Sequence, residues 1–301
     1  MKLDMLWEEE MCIISGDNRS WQDEETPKTV IELWCRAKSG HSVLVLVNGL
    51  RPYMEIFDPN ISHNSTEKNL SLDFVERMKE VDGPPESVGN KLFEGEMKEF
   101  WRIYVCETWS VPKLRDKLKK LGWVVTSADI NFAQRLLLDC DLGPHIKVKG
   151  SVLWADIRSP DEAKNNSNSD SQIANKNIKK VGCAVIYPVD MIISCTFDCF
   201  EKTLPFPTPF VTFSFDLETS IKTNEILCAA AVIQRDNERS EHTFTGDEEN
   251  IMKGLTNLIR SEDPDIITGY NIDNFDLPRM KERAEDLYGK QKFKLTKLNG
   301  W

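Results

Sequence analysis

The sequence predicts a mixed α/β (α+β) chain in two parts, a β-rich domain over 1–207 followed by a smaller α/β domain over 208–301. Three observations carry this reading. Residues 210–218 alternate apolar and polar side chains as a half-buried strand does. Strand and helix signals alternate between about 100 and 140. Between the two regions, Thr203-Leu-Pro-Phe-Pro-Thr-Pro209 reads as a stiff extended connector, because each proline ring fixes its own φ and removes a backbone donor.

The chain of 301 residues is long enough for two separately cored domains. Its net charge of −11 gives no sign of a nonspecific nucleic-acid coat, although it leaves room for a local basic groove. No apolar run approaches membrane-spanning length, and Met1-Lys-Leu-Asp-Met-Leu-Trp-Glu lacks a signal-peptide core, so a soluble, cytoplasmic protein with no membrane partner is expected. Cysteines at 12, 35, 106, 140, 183, 195, 199 and 228 lack the paired spacing of a zinc site. Reduced thiols, most of them small core residues, are expected.

In chain order, Val30–Lys38, Ser42–Val47 and Pro52–Phe57 read as strands separated by Lys-Ser-Gly and Asn-Gly turns. A helix follows from Thr66, with Leu70, Phe74, Met78 and Val81 on one side, and Gly83-Pro-Pro stops it. Phe100–Val105 resumes a strand. Ser110-Val-Pro112 opens a helix through Lys120 that buries Leu114, Leu118 and Leu121, with Gly122 as the residue past its end. A further helix runs from about Asn131 to Cys140. This alternation of strands and helices is ferredoxin- or RRM-like. Ser159–Lys180 is too polar to bury much and reads as an insertion between strand-like runs at Val152-Leu-Trp154 and Cys183–Tyr187.

After the connector come strands at 210–217, 226–233 and 241–244, a helix from Asp247 to Arg260 with Ile251, Leu255, Leu258 and Ile259 on one face, a strand at 266–270, and a helix beyond Asp276. Three strands, then helix, strand, helix is the opening of a ribonuclease H-like domain, here incomplete. Within the first strand Val211, Phe213, Phe215 and Leu217 point one way while Thr212, Ser214, Asp216 and Glu218 point the other. Two like charges on one face are unfavourable unless a proton or cation compensates, and hard cations are held by one or two carboxylates plus substrate phosphates. An Asp-x-Glu alone is also consistent with an ordinary strand end. Asp276, with Pro278 in the first helical turn, is consistent with either a capping residue or a further metal ligand.

Taken together, Phe213-Ser-Phe-Asp-Leu-Glu-Thr219 and Asp263-Pro-Asp-Ile-Ile-Thr-Gly-Tyr-Asn-Ile-Asp-Asn-Phe-Asp-Leu-Pro278 resemble the first and second exonuclease motifs of family B DNA polymerases, in order and at about the right separation. Arg51-Pro-Tyr53 and Asp129-Ile-Asn-Phe-Ala-Gln-Arg135 resemble the amino-terminal domain of the archaeal members. The resemblance implies the amino-terminal portion of a DNA-directed DNA polymerase (a nucleotidyltransferase of DNA replication) with a proofreading 3′–5′ exonuclease. Asp216, Glu218 and Asp276 would be its catalytic and metal-binding residues, with Mg²⁺ or Mn²⁺ as cofactor. Tyr270, Asn271 and Phe275 would contact single-stranded DNA at the primer end. Pro52, Tyr53 and Phe132 would surround a template-base pocket, with the bulky Phe100 filling it, unless Arg51–Tyr53 merely ends a strand. The implied partners are single-stranded and primer–template DNA, the remaining polymerase polypeptide and a sliding clamp.

The family exonuclease uses a fourth carboxylate in a Tyr-x-x-x-Asp motif, and no Tyr-x-x-x-Asp occurs in these residues. His242-Thr-Phe-Thr-Gly-Asp247 matches the His-x-x-x-x-Asp alternative but precedes the second motif, and chance explains it better. The palm carboxylates of polymerase chemistry are also absent from the sequence. The chain alone is therefore expected to be inactive. A noncatalytic single-stranded-DNA-binding or assembly module and a free-standing ribonuclease H-like nuclease are the other readings.

Overall fold

The computed structural model describes residues 6–22, 27–59, 65–155, 189–289 and 295. The polar segment 159–180 and the run Cys183–Tyr187 lie outside them. The chain divides into two compact units that part between Pro205 and Phe206, with the turn Arg36–His41 grouped with the second. Among the described residues no helix is long and apolar enough to cross a membrane, which says nothing of a β-barrel.

The first unit contains two sheets. One is built from β1 (Leu6–Gln22), β2 (Pro27–Ala37), β3 (Ser42–Asn48), β8 (His145–Ala155), β9 (Met191–Thr196) and β10 (Phe200–Lys202) in the order β1-β2-β3-β9-β8-β10. An antiparallel β1–β8 pairing, Leu6↔Ser151 to Cys12↔His145, closes it on itself. β3 carries five consecutive buried residues, Val43 to Val47, as a strand covered on both faces should. Cys12, Cys35 and Cys195 are buried free thiols, and burial, reinforced by Cys199, pushes the Cys195 thiol up to about 12. These three pack in the core, whereas Cys106, Cys140, Cys199 and Cys228 are only partly buried, so fewer of the described thiols are core residues than expected.

The second sheet of this unit has the order β5-β6-β4-β7, from β4 (Tyr53–Phe57), β5 (Glu86–Phe93), β6 (Glu96–Tyr104) and β7 (Val124–Thr126). With α1 (Ser65–Glu76) after β4 and α2 (Val111–Lys120) after β6, the chain order is β-α-β-β-α-β on an antiparallel sheet, the ferredoxin-like arrangement. Leu72, Val75, Met78, Leu114 and Leu118 pack with Met54, Ile56 and Ile103 to form its core. Two expected core residues are exposed instead. Phe74 of α1 faces outward, one position out of phase with Leu72 and Val75, and Leu121 falls past α2, where Gly122 with φ of 91° turns the chain away. α3 (Phe132–Asp139) begins at Asn131, whose side chain accepts from Ala133 N at 2.9 Å.

The second unit is a four-stranded sheet of β11 (Val211–Thr219), β12 (Ile226–Arg235), β13 (Glu238–Thr245) and β14 (Ile266–Thr268), ordered β13-β12-β11-β14, with β14 parallel to β11 and the other pairs antiparallel. α4 (Glu248–Glu262) lays Ile251, Met252, Leu255 and Ile259 on Phe213, Phe215, Ala229 and Ala231, and α5 (Asp276–Tyr288) adds Met280 and Ala284. Leu258 and Leu277 are only partly buried. Asp247 caps α4, its carboxylate accepting from Asn250 N at 3.0 Å, so the His242–Asp247 match has a structural explanation. Asp265 fixes the parallel pair at its start, accepting from Val211 N at 2.8 Å while Arg36 Nε donates to it at 3.1 Å.

Candidate active site

Along β11 the expected alternation holds: Val211, Phe213, Phe215 and Leu217 are buried, whereas Asp216 and Glu218 are exposed on the opposite face. The burial of two phenylalanines and flanking aliphatic residues fixes which face turns outward, since a one-residue slip would bury both acids. The carboxylate pair is thus held at the end of a central strand by its core partners.

Asp276 arrives from β14, the edge strand paired with β11. β14 runs parallel to β11 only from Thr212↔Ile266 to Ser214↔Thr268, after which Gly269 passes close to Phe215: a Cβ there would stand 2.6 Å from the Phe215 carbonyl oxygen. Asn271 then takes a left-handed φ of 54°, and its carbonyl accepts from Asn274 N at 3.1 Å and Phe275 N at 3.0 Å, closing the turn that starts α5. Phe275 occupies the cap position without a side-chain cap bond, and Asp276 is the first helical residue. Its carboxylate meets both its own backbone N–H, in the first turn of the helix, and a donor outside it. Oδ1 accepts from the backbone N–H of Leu217 at 3.1 Å, across to β11, and the residue is 1% exposed. The carboxylate thus ties the start of the helix to β11 and does more than cap its own first turn.

Burial raises the Asp276 carboxyl above its ordinary value, and the negative charge of Asp216 raises it further, while the Leu217 N–H works in the opposite sense. Asp216 and Asp276 are electrostatic neighbours for this reason. Glu218 lies two residues further along the same exposed face. Among the described residues no group of three or more His, Cys, Asp or Glu side chains is gathered closely enough to hold a metal ion. Of the three carboxylates singled out from the sequence, Asp216 and Asp276 act on each other electrostatically, and Glu218 shares the exposed strand face of Asp216. Two hard oxygen donors with mutual repulsion fit a magnesium-like cation that takes its remaining ligands from water and phosphate.

The other predicted contacts surround this pair unevenly. Tyr270 is 93% exposed, Phe275 is 40% exposed with the Arg279 guanidinium 5.7 Å from its ring centroid, and Asn271 Oδ1 accepts from Asn274 Nδ2 at 3.0 Å. Asn271 therefore shapes the turn, whereas the two rings are the accessible apolar surface.

In the first unit, Pro52, Tyr53 and Phe132 line a cavity of about 400 Å³. The Tyr53 hydroxyl donates to Asp139 at 2.7 Å, and the guanidinium carbons of Arg102 and Arg135 stand 4.0 and 4.1 Å from its ring centroid. Burial and then the Asp139 bond raise its phenol above the ordinary value. Phe100 is a correction. It does not line this cavity but packs on Phe57 with ring centroids 4.9 Å apart and near Phe93 at 6.2 Å. On β6 it sits opposite Gly89 of β5, several residues along the sheet from Tyr53, which pairs with Tyr104. Val111, Pro112 and Arg115, at the start of α2, line the cavity in its place. The Ser110-Val-Pro112 pattern signals only a helix start, so nothing local marks these residues as cavity lining.

A family model for the exonuclease domain of DNA polymerase family B matches residues 127–301. The chain belongs to DNA polymerase family B. Exonuclease domains of this family are metal-dependent nucleases. Two curated archaeal relatives agree with the assignment. A DNA polymerase of Archaeoglobus fulgidus is 30% identical over 86% of this chain and 29% of its own length. DNA polymerase 2 of Aeropyrum pernix is 25% identical over 86% of this chain and 30% of its own length. This family B chain therefore spans about 30% of the length of these relatives. The fold is shared with the family B DNA polymerase of Pyrobaculum calidifontis, at a TM-score of 0.65 and 19% identity over 92% of this chain and 32% of that one.

Proposed function

We propose that this chain supplies the amino-terminal, template-contacting part of a replicative DNA polymerase (1–207) and the first part of its proofreading 3′–5′ exonuclease (208–301). The observation that carries the nuclease reading is the reach of Asp276 to Leu217 N, which sets its buried carboxylate beside Asp216. In this reading Asp216 and Asp276 hold Mg²⁺ or Mn²⁺, which would supply Lewis-acid stabilisation of the charge that develops on the phosphate. Glu218, exposed on the same strand face, orients the attacking water and accepts its proton. The water oxygen bonds to the terminal phosphorus, and the bond to the 3′ oxygen of the penultimate nucleotide breaks, releasing a nucleoside monophosphate. Tyr270 and Phe275 offer faces on which unpaired terminal bases stack, which selects frayed, mismatched ends over paired ones. The cavity around Tyr53 and Phe132 fits a template base, and its partner in the complete enzyme is the remaining polymerase polypeptide with primer–template DNA.

Mn²⁺ binding to the chain, followed by water-proton relaxation, tests the acid pair: Asp216→Asn and Asp276→Asn should each weaken it at least tenfold. Unchanged binding in both variants would remove the metal role. With three candidate carboxylates in place of four, Mg²⁺-dependent trimming of a mismatched primer by the chain alone is expected to be negligible. Robust trimming abolished by Asp216→Ala would show instead that these residues suffice.

A further inference from the structure

One element of the first unit carries charge opposite in sign to the chain as a whole. The net charge is −11, yet α2 reads Val-Pro-Lys-Leu-Arg-Asp-Lys-Leu-Lys-Lys, five bases against one acid. Its apolar stripe, Leu114 and Leu118, is fully buried, so the bases are presented outward on a fixed element. The neighbouring acids are largely engaged: Arg115 pairs with Asp116 and Asp129, and Lys117 with Glu80 at 3.7 Å. Lys113, Lys119 and Lys120 stand outside these pairs. One turn upstream, Trp109 lies in a short 3₁₀ turn, 58% exposed, with the Lys113 ammonium 4.9 Å from its ring centroid. Thr108 and Val111, on either side of it in sequence, line the cavity described above.

An exposed indole with one ammonium group against it, at the start of a helix whose far end carries two more, has the chemistry of a single-strand nucleic-acid surface. The ring offers a stacking face to any unpaired base, and the amines follow the backbone phosphates. A duplex hides its base faces and could use only the amines. We infer that Trp109, Lys113, Lys119 and Lys120 form a binding surface for single-stranded nucleic acid, with one base on the indole and successive phosphates along α2. This rests on the template-contacting reading of residues 1–207 and assigns it a surface outside the base cavity.

The test is fluorescence anisotropy of the full chain with a fluorescein-labelled thymidylate oligomer of about 20 nucleotides, titrated across a salt series. Trp109→Ala should weaken binding about tenfold, as loss of one stacked base does, and Trp109→Phe should restore most of it. Replacing Lys113, Lys119 and Lys120 together with Gln should flatten the salt slope by about 2, given roughly 0.7 per phosphate contact on single strands. On an abasic oligomer of the same length, Trp109→Ala should match the parent. Unchanged thymidylate binding in both variants, with the parent binding normally, overturns this surface and leaves the proposed function standing. Equal affinity for a duplex of the same length overturns the single-strand assignment. Failure of the parent chain to bind at all removes the template-contacting reading together with this surface. Melting curves of Trp109→Phe and of the lysine variant establish that both are folded.

Discussion

Asp276 is held between opposing influences, and its substitutions separate them. The parallel β11–β14 ladder ends at Ser214↔Thr268, so the Leu217 N–H beyond it is met by the Asp276 carboxylate. Asparagine keeps an acceptor oxygen there and alanine does not. Asp276→Ala should therefore cost about 1–3 kcal/mol in chemical denaturation, the usual penalty for a stranded buried donor. Asp276→Asn should be far milder. Charge acts separately. With its folded pKa raised above 3.8, mainly by burial and then by Asp216, the carboxyl favours its neutral form in the folded chain. Its stabilising contribution is full below that value and is lost as pH rises through the raised one. Removing the ionisation should therefore give Asp276→Asn a Tm at pH 7 no lower than the parent's, with any advantage closing as the pH approaches 3. A Tm difference independent of pH would show that Asp276 ionises without hindrance. By linkage, a bound divalent cation should lower the same pKa, so Mn²⁺ affinity should rise with pH over this window.

Whole elements place that residue. The strand–turn–helix Ile266–Tyr288 brings Asp276 across to β11 only because Gly269 lets the backbone pass the Phe215 carbonyl. Gly269→Ala would put Cβ 2.6 Å from that oxygen and 3.2 Å from Ile272 Cδ1, both fixed by the core, and should cost about 1–3 kcal/mol of stability. It should also weaken Mn²⁺ binding, since the strand must move and Asp276 moves with it. If stability falls and metal binding does not, the turn and the acid pair are uncoupled. Elements also differ in how plainly the sequence announces them. β11 and α4 declare themselves through period-2 and helical patterns that coincide with their buried faces. β1 does not, because Leu-Trp-Glu-Glu-Glu-Met-Cys-Ile-Ile-Ser-Gly alternates poorly and is fixed by pairing with β8 far along the chain. The same holds for Phe100, whose neighbours Phe57 and Phe93 are set by which strands flank β6.

At the scale of the molecule, one hydrophobic cluster closes the second unit and another closes the β4–β7 sheet with its helices in the first, while the buried residues of the six-stranded sheet belong to neither. Phe213→Ala, at a fully buried site in the second, should cost about 3–5 kcal/mol, and Leu118→Ala in the first about 2–5 kcal/mol. Scanning calorimetry should show each variant lowering a different transition, and a single shared transition shifted by both would mean the two cores melt as one. The sequence by itself determined the mixed α/β class, the order of strands and helices in the second unit, the outward face shared by Asp216 and Glu218, and the motif order that marks a family B exonuclease. Those properties are local, following from the two-residue period of a strand, the 3.6-residue period of a helix and the residues that cap and stop them. Tertiary structure alone decided that Asp276 reaches across to Leu217, and that Val111 lines the cavity where Phe100 was expected. Each depends on the register between segments tens of residues apart, and that register is fixed by packing of the whole sheet, for which no single stretch of chain holds the information.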